Sequence, residues 1–237
     1  MPGKKVLELI KEKNVEFVDF RFVDIAGKAH HVTLPASEIN EDTFVNGVAF
    51  DGSSIPGFRG IEESDMVMMP DGDSVYLDPF TAHVTLNVMC NIYTPEGERY
   101  DRDPRSIAQK AEEYLLQTGI GTAAYFAPES EFFIFDDVRY KSGMNTSFYE
   151  VDSDEGVWNT DRREEGGNLG FKVRTKGGYV PVAPTDQQQD IRSEIVRLLI
   201  ESGLRVERHH HEVASAGQGE INFRFDTLTK TADNLLK

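Results

Sequence analysis

Apolar positions set the rhythm of the chain from its first residues. Across 4–13, Val6, Leu7 and Ile10 recur at helical spacing, and Phe17, Val18, Phe20 and Phe22 then read as a strand with a largely buried face. Ala26 and Gly27 turn the chain back. Further strands are predicted over 30–34, 73–77 and 84–92; in the last, Val84, Leu86, Val88, Cys90 and Ile92 alternate with polar or smaller residues. The first hundred residues therefore read as a small strand-rich module.

Asp103 followed by Pro104 is a strong helix start, and Ile107, Ala108, Ala111, Tyr114 and Leu115 give an apolar stripe that stops at Gly119. The spacing puts a domain boundary just before this helix, dividing the chain into 1–103 and 104–237. Strands follow over 122–127 and around 131–135, and the glycine-rich, charged stretch 136–178 reads as a long surface excursion. Asp186 is expected to cap a helix running through Ile191, Ile195, Leu198 and Leu199 to Gly203, with strands over 204–214 and 219–225 beyond it. Helix and strand alternate, so the fold class is α+β. Residues 227–237 open a helix with Ala232, Leu235 and Leu236 but carry no stop signal, which reads as a fragment of a longer protein. No internal repeat points to a solenoid.

Composition narrows the classes of function. The 41 acidic and 25 basic residues give a formal net charge of −16, and the acids are dispersed along the chain, so a nucleic-acid-binding surface is disfavoured. Solubility and a need for cations account for that acidity equally well. The single cysteine, Cys90, lies in an apolar run, reads as a buried inert thiol and suits a reducing cytoplasm. No apolar stretch approaches the roughly 20 residues that span a bilayer, and Lys4 and Lys5 lead into a charged helix, so a cytoplasmic protein without a membrane segment is expected.

Against this background four carboxylates stand out. Glu129 and Glu131 are separated by one position, so on a strand both project from one face, and the neighbouring Phe132, Phe133, Ile134 and Phe135 suggest that the strand is largely buried. Two like charges side by side in such a place favour a bound cation. A hairpin centred near Ala216 would set Glu212 opposite Glu220 and make a second pair. Hard oxygen ligands of this kind suit Mg²⁺ or Mn²⁺ and hence phosphoryl chemistry, although each pair by itself is also what a solvated strand face presents. His209, His210 and His211 precede Glu212, but neighbours on a strand point to opposite faces, so at most His209 and His211 share one. With no cysteine beside them, zinc ranks below magnesium.

The segments Phe50-Asp51-Gly52-Ser53-Ser54-Ile55, Glu63-Ser64-Asp65-Met66, Ala127-Pro128-Glu129-Ser130-Glu131-Phe132-Phe133 and His209-His210-His211-Glu212-Val213-Ala214, in this order and spacing, resemble bacterial type I glutamine synthetases along essentially the whole chain. The resemblance implies a small β-grasp N-terminal domain followed by the first part of a catalytic domain, a curved antiparallel sheet with helices. It implies a ligase in which ATP phosphorylates the γ-carboxylate of glutamate and ammonia displaces the phosphate, with two or more Mg²⁺ or Mn²⁺ ions per site. By the same resemblance Glu131, Glu212 and Glu220 hold one ion and Glu129 helps hold the other. Asp51 and Ser54 help bind ammonium, with Asp51 taking its proton, and Tyr179 stands beside that site. Glu207 contacts the nucleotide and Phe225 packs near adenine. The N-terminal module of one subunit is expected to close the site of its neighbour in a dodecamer of two hexameric rings. The interval from Glu131 to Glu212 is similar to that of the longer subclass, which is often regulated by adenylylation of a tyrosine, here expected past Lys237.

Without the resemblance, Asp51 is a turn carboxylate, Tyr179 a partly buried aromatic at a strand entry, and Glu207 and Phe225 ordinary strand residues. Two other functions share the motifs: a γ-glutamyl ligase that takes a polyamine or another amine, against which Asp51 and Ser54 argue, and a non-catalytic structural relative, against which the intact carboxylates argue. A fragment is expected to be inactive by itself.

Overall fold

The computed structural model describes residues 3–237. Packing divides them into two compact units, one made of the chain up to Phe126 together with Asp226–Lys237, the other of Ala127–Phe225.

The first unit opens with helix α1 (Lys4–Glu12) and strands β1 (Phe17–Val23) and β2 (Ala29–Pro35), continues through the short helix α2 (Thr43–Asn46), β3 (Val48–Asp51), β4 (Asp65–Pro70), β5 (Tyr76–Leu77) and β6 (Thr85–Tyr93), and then enters helix α3 (Pro104–Thr118) and β7 (Tyr125–Phe126). Its main sheet has the order β2-β1-β6-β4-β3, with β1 and β6 parallel at the centre and β5 on β6. The parallel register pairs Val18 with Leu86 and Phe20 with Val88. These residues share one face, which α1 covers with Val6, and Met66 and Met68 of β4 complete the core. Cys90 is buried in the same core, where desolvation pushes its thiol pKa well up, as expected of an inert thiol.

The second unit holds β8 (Glu129–Phe133), the two-stranded hairpin β9 (Asp137–Ser142) and β10 (Ser147–Asp152), helix α4 (Gln189–Glu201), β11 (Val206–His211) and β12 (Gln218–Phe223). The chain then returns to the first unit as β13 (Asp226–Thr227), paired with β7, and helix α5 (Leu228–Leu235). In the second unit β11-β12-β8 form an antiparallel sheet against which α4 packs. Its interior is polar to an unusual degree: Glu155, Lys172, Asp186, Arg192, His211, Glu212, Gln218, Glu220 and Asn222 are all buried. Each such group must find a partner, because an unpaired polar group in an apolar interior costs on the order of 1–3 kcal/mol.

Several expectations change. Packing, as distinct from the expected domain limit at 103/104, groups α3 with the first unit, because α3 packs on α5 and on β1 and β6. Residues 73–77 are a 3₁₀ turn, Gly72–Ser74, leading into only two strand residues. Strands β3 and β4 carry no clean alternation and escape the sequence pattern; β4 is Asp-Met-Val-Met-Met-Pro. The 136–178 excursion contains the β9–β10 hairpin. Asp186 does not cap α4, which begins at Gln189 without a side-chain cap. Instead the Asp186 carboxylate accepts from the Gln188 backbone N–H at 3.1 Å and from the buried Arg192 guanidinium at 2.5 Å. Neutralising a buried guanidinium outweighs a cap, which contributes about 1 kcal/mol. Strand β8 is not the buried strand its phenylalanines suggest, since Glu129, Glu131 and Phe133 are exposed.

Candidate functional site

The second unit's sheet gathers the four glutamates on one face. Register sets Glu220 of β12 directly opposite both His210 of β11 and Glu131 of β8, so these three share a side. Two residues along the strands, Arg208, Asn222 and Glu129 form a second row on the same face. Glu212 follows two residues after His210 and joins that face, its backbone N–H donating to Gln218 O at 2.8 Å. The hairpin therefore sets Glu212 opposite Gln218 rather than opposite Glu220. This offset of two residues from the expected register keeps every side chain on its face. Gly217 sets it: φ is +78°, and a Cβ there would lie 2.3 Å from the Ile134 carbonyl oxygen, so only glycine fits.

Glu212 and Glu220 are buried, and His210 stands between them, Nδ1 3.5 Å from Glu212 Oε1 and Nε2 3.5 Å from Glu220 Oε2. One ligand-type atom from each of these three residues falls within 4.8 Å of the others. Glu212 also accepts from the Val213 N–H at 2.6 Å, Glu220 from Asn222 Nδ2 at 2.5 Å, and Glu131 from Gln218 Nε2 at 2.8 Å. Glu129 lies across from Asn222. Among the described residues no lysine or arginine forms an ion pair with any of the four glutamates; Arg208 donates to Asn222 instead. A half-buried face of carboxylates paired with no lysine or arginine is one that a cation can neutralise, and carboxylate oxygens with one imidazole are donors compatible with Mg²⁺ or Mn²⁺.

Tyr179 stands at the rim, exposed, its ring edge-on to His210 at 5.8 Å between centroids. It is held by a backbone ladder in which Lys176, Gly178 and Val180 donate to Ala214, Val213 and His211, and Val180 adopts φ +48°, a conformation that β-branched residues rarely take. Observed strain of this kind is sustained only where the surroundings enforce it, and it clusters at functional sites. Glu207 falls where the β11–β12 register shifts, and it accepts from Arg224 at 3.0 Å. The same Arg224 lies over the Phe225 ring at 4.2 Å, so Glu207 and Phe225 share one exposed cluster through it.

Asp51 and Ser54 belong to the first unit and are described there by themselves. The Asp51 carboxylate accepts from Ser53 Oγ at 2.6 Å, Ser53 N at 2.9 Å and Ser54 Oγ at 2.7 Å. The hydroxyls of Ser53 and Ser54, with the Ser53 N–H, hold its pKa below the usual carboxylate range.

Two features escape the sequence reading. The period-two rule that pairs His209 with His211 also sets His210 beside Glu212, which the sequence already allowed. The other is a buried contact between His211 and Glu155 at 3.1 Å, which joins residues far apart in the chain and leaves no local signal. Burial opposes the charged His211 ring, but the Glu155 carboxylate outweighs it and raises the His211 pKa.

Residues 14–95 match the glutamine synthetase β-grasp domain and residues 101–237 the glutamine synthetase catalytic domain. Glutamine synthetases of Frankia alni and Vibrio cholerae are each 53% identical over 99% of this chain, and that of Escherichia coli K12 is 51% identical over 99%. The chain spans about half the length of these curated relatives, 50% in each case. The cryo-EM structure of Plasmodium falciparum glutamine synthetase superposes with a TM-score of 0.88 at 30% identity, over 100% of this chain and 47% of that one. Apo GmaS shares the fold, with a TM-score of 0.70 at 18% identity over 96% of this chain and 47% of its own. On two family domains that together cover most of its length, this chain belongs to the glutamine synthetase family.

Proposed function

We propose that the protein joins ammonia to L-glutamate at the expense of ATP, through γ-glutamyl phosphate, and that this chain supplies part of the site. The observation that carries the reading is the carboxylate face: Glu129, Glu131, Glu212 and Glu220 together on one sheet, with His210 as their only basic ion-pair partner among the described residues. Glu131, Glu212 and Glu220 hold one Mg²⁺ or Mn²⁺, and Glu129 helps hold a second. Divalent ions, when bound, neutralise the triphosphate and the charge that develops as the phosphoryl group moves.

The chain's own residues bind and orient. Gln218 and Asn222 fix the Glu131 and Glu220 carboxylates by hydrogen bonds, so these ligands need little rearrangement. Glu207 and Phe225, joined by Arg224, receive the nucleotide. Asp51, kept ionised by Ser53 and Ser54, attracts ammonium and takes its proton as ammonia is consumed. A carboxylate stabilised in this way is a weak base, so holding the cation is the larger part of its work. Tyr179 closes the site beside it. The assembly is a dodecamer of two hexameric rings in which the first unit of one subunit serves the carboxylates of its neighbour, and the protein works in the cytoplasm.

The test is glutamine formation by the full-length protein with glutamate, ammonium, ATP and Mg²⁺ or Mn²⁺. Glu131→Ala, Glu212→Ala and Glu220→Ala should each lower the rate by on the order of 100-fold or more. Unchanged rates in all three variants would remove the ion assignment, and turnover with a polyamine but not with ammonium would remove the substrate.

A further inference from the structure

We propose that Glu155 and His211 are positioning residues for the carboxylate face: a buried brace that fixes the hairpin carrying Glu212 and Glu220 and the loop carrying Tyr179. The proposal rests on the reading that those glutamates hold a divalent ion.

Both residues are 1% exposed, so neither side chain presents a surface to substrate or ion. Yet their polar atoms are fully used. Glu155 Oε1 accepts from the Gln187 N–H at 2.7 Å, and Oε2 accepts from the Gly217 N–H at 2.8 Å and lies 3.1 Å from His211 Nε2. His211 Nδ1 reaches Gly178 O at 2.7 Å and Glu212 O at 2.9 Å. One carboxylate and one ring thus tie together the irregular 153–178 segment, the entry to α4, the turn of the β11–β12 hairpin and the residue before Tyr179.

The attachment points lack slack. A Cβ at Gly178 would lie 2.6 Å from Glu212 O and 2.8 Å from His211 Cε1, and Gly217 admits no side chain for the reason given above. The Glu212 main chain is therefore pinned from both sides, between Gly178 and the Gln218 carbonyl. His211 points away from the glutamates, on the opposite side of the strand from His210, so its effect on them passes through the backbone. If burial were all the position required, apolar residues would fill the space without desolvating a carboxylate. What the polar pair adds is direction: donors and acceptors that fit in one register only. Partners of this kind, one layer removed from an ion, typically change its affinity by about 10–100-fold when lost.

The test uses the full-length protein and Mn²⁺ as the probe, with affinity from calorimetry, KM and kcat from glutamine formation, and unfolding followed by circular dichroism. Glu155→Gln removes an acceptor and should weaken Mn²⁺ binding by about 10-fold or more, raising the apparent KM for Mn²⁺ more than it lowers kcat at saturating ion. The two amides separate the arms of the ring: His211→Gln can still reach Glu155 and should retain most of the affinity, whereas His211→Asn keeps only the Gly178 arm and should lose it. Leu204→Ala, a core truncation in the same unit, serves as the control and should lower thermal stability without moving the Mn²⁺ affinity. Loss of Mn²⁺ binding in Glu220→Gln checks the underlying reading. If Glu220→Gln binds Mn²⁺ like the wild type, the ion assignment fails. If it does not, while Glu155→Gln and His211→Asn stay within twofold of wild type, or weaken no more than Leu204→Ala at matched stability, the brace is overturned. Should Glu155→Gln fail to fold, the contrast between His211→Gln and His211→Asn decides the matter: equal affinities overturn it.

Discussion

Single residues here act through what they lack as much as through what they touch. Glu212 and Glu220 are buried with His210 as their sole ion-pair partner among the described residues, whereas other buried charges, such as Asp186 with Arg192 and Lys172 with Glu164, find full opposite charges within the chain. That contrast separates carboxylates that stabilise the fold from the carboxylates proposed above to hold a cation. Asp51 shows a third arrangement, an exposed carboxylate held down in pKa by hydroxyls rather than by charge. Ser54→Ala removes one of those donors, which favour the ionised form, so the Asp51 pKa should rise toward the ordinary carboxylate value. At a given acidic pH more of it is then protonated, and ammonium binding weakens. The expected result is an acidic limb in the kcat/KM for ammonium that moves to higher pH in Ser54→Ala, with Mn²⁺ affinity unchanged; coincident limbs would show that Asp51 does not face ammonium.

At the scale of elements, helix α3 shows how far local chemistry reaches. Its start is written in Asp103-Pro104: the Asp103 carboxylate accepts from Arg105 N and Ser106 N, and Gly119 closes the helix in the left-handed region. The same carboxylate accepts from Ser106 Oγ at 2.7 Å and from the Ile92 N–H of β6 at 3.0 Å, all of it buried, so the cap also fastens helix to sheet. Asp103→Ala should therefore cost more than a surface cap, about 2–4 kcal/mol from the lost cap and the orphaned Ile92 donor together. Chemical denaturation of the full-length protein and the variant measures it, and a loss under 1 kcal/mol would show that water replaces the carboxylate. Elements with such signals were legible in the sequence: α1, β1, β6, α3 and α5 follow from spacing and caps, and the same-face geometry of Glu129 and Glu131 from period two alone. Other elements were not. β4 sits inside its sheet with the unbroken apolar run Met66-Val67-Met68-Met69, which shows no polar alternation, and β9 and β10 are exposed along most of both faces, so neither pattern distinguishes them. The hairpin register depended on Gly217 packing against Ile134, and the Glu155–His211 contact on residues 56 apart. Both are tertiary, which is why family resemblance, and not periodicity, supplied the roles of the site residues.

At the scale of the whole chain, the net charge of −16 over its 237 residues carries two separable consequences. Self-repulsion among dispersed acids opposes the compact state, and any salt relieves it by screening over a Debye length of ~10 Å at 0.1 M. A site on the carboxylate face adds an increment that depends on the identity of the cation, because only an ion bound to the folded form shifts the equilibrium by mass action. The two are distinguished by titrating the full-length protein with NaCl and MgCl₂ at equal ionic strength. Screening should raise the unfolding free energy along a common curve, and Mg²⁺ should lift it further, by about 2.7 kcal/mol once the free ion exceeds its dissociation constant 100-fold. Glu220→Gln should keep the common curve and lose the extra rise, since it alters one charge among the 41 acidic residues of this chain alone but one ligand in three of the ion's proposed set. If the MgCl₂ and NaCl curves of the wild type coincide, the acidity serves solubility alone. If they separate equally in wild type and variant, the divalent ion binds elsewhere on the surface, and the convergence of Glu131, Glu212 and Glu220 has some other cause.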